Sequence, residues 1–280
     1  MPFAGKLFNF FVYSNLFIAG CAVLMAYQTC LLLHLEPDNY LLLFIFSATI
    51  CSYSFHWYLS TPSVLSSPRI EWQHGHHEMH LVLLIAGLGC SVFFAFYLLT
   101  HWIWLAFASA ITFLYSAPKI PHPYFRALRK VALGKTIFLA MVWTFVTTVL
   151  PVIVNGAKWQ GDTTLFVISR FFLIYSICIL FDYRDREDDK LNGIRSLVTR
   201  LNEKGIRNLF NFSIAVFIVS TIGMLFYHHP LSRIIVLLIP GIITASLFNY
   251  ARKNFSDMLY YFALDGLMAL SALLMLVTRI

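Results

Sequence analysis

The sequence predicts an all-α, polytopic membrane protein of nine transmembrane helices, and three observations carry that expectation. Of the 280 residues, 59% are hydrophobic and only 12% are charged. The apolar residues fall in long blocks and not in amphipathic stripes, more continuous apolar sequence than a soluble core can use. The blocks are apolar on every face, whereas the strands of a spanning barrel would alternate.

A helix needs about 17 to 25 apolar residues to cross the hydrocarbon layer. Runs of that kind lie near 9–34, 39–59, 80–99, 101–117, 131–154, 163–183, 208–227, 231–250 and 257–277. The first follows a single Lys6, is too long for a signal-peptide core and lacks a small-residue cleavage site, so it reads as a retained anchor. The Lys and Arg residues of the connections set the orientation. With the N-terminus inside, the inner segments hold Lys6, Arg69, Lys119, Arg126, Arg129, Lys130, Arg184, Arg186, Lys190, Arg195, Arg200, Lys204, Arg207, Arg252 and Lys253. The outer ones hold only Lys158, Arg233 and Arg279. The expected topology is therefore N-terminus cytoplasmic and C-terminus outside, in a multi-pass protein of a bacterial inner membrane.

The net charge of +7 reflects this bias and attraction to anionic headgroups. No soluble basic face is present, which excludes nucleic acid as a partner. Cys21, Cys30, Cys51, Cys90 and Cys178 are scattered through the spans without a CxxC pair, so neither a disulfide framework nor a cysteine metal site is indicated. The outer connections are short and the inner ones long, at Ser60 to Met79, Pro118 to Lys130 and Arg184 to Arg207. Polar machinery is expected on that inner side, and residues 1–280 read as one transmembrane domain.

The most informative inner segment is FDYRDREDDKLNGI, from Phe181 to Ile194. Of the 13 Asp and Glu residues in the chain, five fall between Asp182 and Asp189. On a helix continuing past the membrane, Asp182, Asp185 and Asp189 stand at i, i+3 and i+7 within one narrow arc, and Glu187 points away. Three hard oxygen ligands with Arg186 beside them suit Mg²⁺, an ion commonly shared between a few carboxylates and substrate phosphates. The alternative is a solvated helix end whose charges are balanced by the adjacent basic residues, with Gly193 as its C-cap.

The pattern Asp182-x-x-Asp185-x-x-x-Asp189-x-x-x-Gly193-Ile194-x-Ser196-Leu197 resembles the second aspartate-rich motif of the UbiA superfamily of intramembrane prenyltransferases. Tyr115-Ser116-Ala117-Pro118-Lys119, after the fourth span, resembles the family's Tyr-Ser-x-Pro element. The resemblance implies nine helices around a central cavity opening to the cytoplasmic side. It also implies Mg²⁺-dependent transfer of an isoprenyl group from its diphosphate to an aromatic or other lipophilic acceptor within the lipid bilayer. On that basis Asp182, Asp185 and Asp189 are the expected catalytic and metal-binding residues. Arg69, Lys119, Arg126, Lys135 and Arg186 are candidates for the diphosphate. Lys119 stands out by motif position, and Lys135 because it lies within an apolar run, where ionisable groups are costly.

One departure qualifies that expectation. Active members carry an earlier aspartate-rich motif at the inner end of the second span, where this chain reads SYSFHWYLS from Ser52 to Ser60, without a carboxylate. His56, Glu71, His76 and His80 are the candidates to replace it, and His76 and His80 would share one helical face; the alternative is an interfacial loop of neutral histidines contacting headgroups or phosphate. A non-catalytic prenyl-lipid-binding or assembly factor of the same fold is therefore the alternative function. Arg170 and Asp265 lie within spans at depths that would let them pair.

Overall fold

The computed structural model describes residues 3–60, 67–120, 122, 124–125, 135–191 and 196–278. Among these, eight helices are long and apolar enough to cross a membrane: Asn39–Tyr58, His77–Phe96, Leu99–Ser116, Thr136–Val154, Gly161–Arg184, Glu203–Tyr227, Leu231–Ala251 and Leu259–Thr278. Ahead of them stands a helix pair bent by 61°, Gly5–Tyr13 with Leu16–Leu32, which completes the expected nine when it is counted as one span. The bent pair is then the first span, and the eight helices are the second to the ninth. The protein is an all-α, multi-pass integral membrane protein.

The apolar run expected to form one continuous first span is instead broken at Ser14–Asn15. Asn15 adopts left-handed backbone angles, φ 69° and ψ 6°, a region that Asn reaches more easily than most residues. Irregular backbone at this depth is tolerated only when buried in protein, and Ser14 and Asn15 are fully buried. Tertiary bonds hold the Asn15 side chain: its amide donates to Ser54 Oγ at 3.4 Å, and its side-chain oxygen receives Arg69 Nη2 at 3.2 Å.

Helix starts follow local chemistry. Asp38 caps the second span by accepting from the backbone N–H groups of Tyr40 and Leu41 at 2.8 and 3.1 Å. The connection expected between the second and third spans holds a short helix, Pro68–Gly75, with Ser67 as its N-cap and proline in its first turn. The third span then begins at His77, three residues before the expected start.

Neighbouring spans pack in sequence from the fourth to the ninth, the ninth packs back on the first, and the first, second and fourth close the ring. The third span lies against the second, and only a small share of it is buried, whereas the sixth span is buried over most of its length. Gly87 sets the close approach of the second and third spans: a Cβ there would lie 2.8 Å from Cys51 N and 2.9 Å from Ser47 O. Small residues serve this purpose between membrane helices, where lipid is as apolar as any side chain.

Two spans contain wider π-helical turns, Phe145–Val149 and Leu259–Leu264. The extra residue in such a turn rotates the two flanking helical segments relative to each other. In the ninth span this sends Tyr260 inward, with its hydroxyl donating to the Ala251 carbonyl at 2.9 Å. Phe262 remains on the outer face beside Phe8 and Phe17.

The expected pairing of Arg170 with Asp265 does not form. Arg170 is buried, and its Nη1 donates to the carbonyls of Met25 at 2.6 Å and Thr147 at 3.1 Å, while Nη2 donates to Gln28 Oε1 at 2.6 Å. It ties the sixth span to the first and fifth. Asp265 instead lies within electrostatic reach of Arg69 and Arg184.

Candidate functional site

The polar groups at the end of the bundle that carries the long connections meet around Tyr261. Arg69, from the short helix between the second and third spans, is 3% exposed. Its guanidinium carbon lies 3.7 Å from the Tyr261 ring centroid, 4.7 Å from that of Trp57 and 5.8 Å from that of Tyr13. Its backbone N–H donates to Asp257 at 2.8 Å, which anchors the helix to the ninth span's entry. Of its side-chain donors, Nη2 reaches Asn15, and the buried Nε has no hydrogen-bond partner. Burial pulls this guanidinium below its ordinary pKa, against the opposing pull of Tyr261 and Asp265.

Arg184, the last residue of the sixth span, approaches the same tyrosine. Its Nη2 donates to the Tyr261 hydroxyl at 2.8 Å, its Nε donates to Asp185 Oδ1 at 2.8 Å, and its guanidinium carbon lies 4.6 Å from the ring centroid. Asp265, one turn further along the ninth span, is buried within electrostatic reach of both arginines. Guanidinium groups suit such a place because they are weakly hydrated, stack on rings and keep a planar fork of donors for oxyanions.

Lys119 extends the cluster. Its Nζ donates to Ser60 Oγ at 2.5 Å and stands 5.7 Å from the Trp57 ring centroid. Two more residues of the Tyr-Ser-x-Pro-Lys element pack on the inner end of the second span: Tyr115 stacks on His56 at 5.5 Å, and Ser116 Oγ lies 3.4 Å from His56 Nδ1. They therefore cover the stretch in which a first acidic motif was expected and found missing.

The acidic segment keeps nearly helical geometry through Asp185, whose N–H bonds to Phe181 O at 3.0 Å and whose carbonyl accepts from Asp189 N at 2.8 Å. Asp182 and Asp189 are buried and Asp185 is partly exposed, while Glu187 faces solvent and pairs with Lys190 at 2.7 Å. Asp182 accepts from Thr136 Oγ1, and Asp185 is engaged by Arg184. Among the described residues, no three His, Cys, Asp or Glu side chains are close enough together to hold a metal ion. The donor set thus does not fit a preformed three-carboxylate Mg²⁺ site. Gly193, the expected C-cap, lies outside the described residues.

The other sequence candidates separate. Arg186 is occupied by Glu203 at 2.8 Å and by the Leu201 carbonyl at 2.9 Å. Glu203 also receives Arg252 and Tyr183 and so ties the sixth, seventh and eighth spans together. Arg126 lies outside the described residues, as does the side chain of Lys135. His76 is the N-cap of the third span, its carbonyl accepts from the His80 N–H at 3.3 Å and both rings lie by Trp72, but among the described residues no third ligand joins them. His76 is exposed, stacks on Trp72 at 4.3 Å and meets the Trp72 carbonyl through Nδ1 at 2.7 Å. His80 is buried with neither ring nitrogen bonded, and Glu71 is exposed. With His56 facing the fourth span, these four residues do not form one constellation.

The sequence reading did not single out Arg184, Tyr261, Trp57 or Asn15. Arg184 had a signal, as a cation at the end of an apolar run beside the acidic cluster. Asn15, a polar residue within a span, had another.

The model of the UbiA prenyltransferase family matches residues 62–260, well over half of the chain. The match begins after the second span, so the stretch without acids lies ahead of it. No curated protein and no solved structure matches the chain. With its membrane-spanning helices in place, the chain belongs to the UbiA prenyltransferase family.

Proposed function

We propose that this protein binds an isoprenyl diphosphate at the Arg69–Tyr261–Arg184 cluster and transfers the isoprenyl group to a lipophilic acceptor, such as an aromatic ring, within the bilayer. The observation that carries this reading is the convergence of two guanidinium groups on one tyrosine, bordered by Lys119 and Trp57. Cations complement the diphosphate, and electron-rich rings complement an allylic cation. In this reading the cluster lies at the cytoplasmic ends of the spans of a bacterial inner-membrane protein, with the N-terminus inside and the C-terminus outside, and residues 1–280 act as one domain.

The chemistry assigns each group a task. Arg69, Arg184 and Lys119 hold the diphosphate and stabilise the negative charge that grows on it as the allylic carbon–oxygen bond breaks, the electron pair leaving with the diphosphate. Trp57, Tyr13 and Tyr261 face the cation left behind. The acceptor forms the new bond to the allylic carbon and gives up a proton to the departing diphosphate. From the acidic segment, Asp185 enters by fixing the guanidinium of Arg184. Because the three aspartates do not make a preformed cage, no step here is routed through Mg²⁺.

A second reading has its own observation. The second span ends without a carboxylate, and Asp185 is already paired with Arg184, which suits a protein that holds a prenyl lipid without turning it over. Purified protein in lipid nanodiscs, incubated with geranyl, farnesyl and geranylgeranyl diphosphates and a phenolic acceptor, separates the two. Release of diphosphate with formation of a prenylated product supports the transferase. Binding without release supports the non-catalytic factor. If no chain length binds, both readings are wrong.

A further inference from the structure

We infer that the guanidinium of Arg69 takes the place of a divalent cation at this site, so that an isoprenyl diphosphate binds without metal. The inference rests on the proposed function and deepens it. Arg69 comes from the connection that follows the second span, the span whose inner end would carry the first set of metal-binding carboxylates and has none. A positive side chain thus stands where carboxylates would have held a positive ion.

The setting of Arg69 is that of an anion receptor waiting for its ligand. A buried guanidinium is costly unless paired and hydrogen-bonded. Arg69 has no carboxylate in salt-bridge contact with its side chain among the described residues, donates once to Asn15, and leaves a buried Nε–H without a partner. It is held in place without an ion pair: the backbone bond to Asp257 fixes its helix, Tyr261 lies under the guanidinium, and the break at Asn15 supplies one acceptor. A fork pinned in this way has donors free for phosphate oxygens and loses little rotamer freedom when it binds. Arg184 and Lys119 add two further positive charges at the same cluster. Of the carboxylates that would compete for a metal, Asp185 pairs with Arg184 and Asp182 accepts from Thr136.

The test uses the full chain in nanodiscs and measures binding of farnesyl thiolodiphosphate, whose carbon–sulfur bond resists cleavage, by calorimetry in Mg²⁺ and in EDTA. Binding that persists in EDTA is the expected result. Arg69→Gln is expected to weaken binding about 10- to 100-fold in both buffers, the loss of one or two charge-assisted hydrogen bonds. Arg69→Lys, which keeps the charge and loses the fork, should fall between the two. Binding that appears only with Mg²⁺ overturns the inference and leaves the proposed function standing. Absence of binding in both buffers overturns both, and wild-type affinity in a folded Arg69→Gln protein overturns the role of Arg69. Should Arg69→Gln fail to fold, the EDTA measurement on the unaltered protein and the Arg69→Lys variant decide.

Discussion

Tyr261 does two jobs that a pair of substitutions separates. Its hydroxyl accepts from Arg184 Nη2 at 2.8 Å, and its ring lies 3.7 Å from the Arg69 guanidinium carbon and 4.6 Å from that of Arg184. Tyr261→Phe removes the hydroxyl and keeps the ring. Arg184 is 10% exposed, so the stranded N–H is poorly reached by water, a loss of about 1–3 kcal/mol in soluble proteins. Interhelical hydrogen bonds in bilayers average only about 0.6 kcal/mol, which points to a destabilisation of about 1 kcal/mol. Tyr261→Leu also removes two cation–π contacts, each about 1–2 kcal/mol when desolvated, and is expected to cost about 3–5 kcal/mol in all.

The two assays should diverge for Tyr261→Phe. Reversible unfolding in bicelles should show the small loss of stability. Affinity for farnesyl thiolodiphosphate should stay level or tighten, because the freed Arg184 donor becomes available to the ligand. Tyr261→Leu should lose both stability and affinity, since Arg69 loses the surface that holds it. Equal damage from the two substitutions would mean that the ring is not what positions Arg69, and the account of the site would fail with it.

The fold supplies two more tests. Gly87→Ala forces a Cβ to within 2.8 Å of the backbone of Cys51, and the second and third spans must separate, at about 1–3 kcal/mol by the usual cost of overpacking; unfolding in bicelles reads it, and an unchanged midpoint refutes the close approach. His229, in the connection between the seventh and eighth spans, has its pKa lowered below 6.5 by burial, with Asp162 at 3.4 Å opposing and Arg233 and His34 adding to the lowering. The unfolded chain therefore binds the proton more readily, so His229 favours the folded state above about pH 6.5 and that contribution is lost as the pH falls toward the folded-state pKa. His229→Gln should flatten this part of the stability profile, and an unaltered slope refutes the assignment.

Hydropathy made the spans legible because a crossing helix must be apolar over its whole length, a constraint that needs no knowledge of neighbours. The break at Asn15 escaped the same argument. A long window averages one Asn into an apolar run, and the groups that bond the Asn15 side chain are Arg69 and Ser54, both remote in sequence. The pairing of Arg170 with Asp265 failed for a related reason. Helical rise gives depth, but rotation about the helix axis decides which neighbour a side chain meets, and here it sends Arg170 to carbonyls and leaves Asp265 within electrostatic reach of Arg69 and Arg184.

The acidic segment illustrates the limit most sharply. Periodicity placed its aspartates on one arc, and the helix runs on almost as drawn. Periodicity says nothing about the groups across the gap, and there the chain presents cations and rings in place of a second set of acids. Two facing acidic motifs need divalent ions to hold a diphosphate between them. On the inference drawn above, Arg69 supplies on one side of the site the positive charge that a divalent ion would otherwise bring. The family match and the missing carboxylates are then compatible: the match starts at residue 62, and Arg69, just inside it, carries the charge that the preceding span no longer recruits.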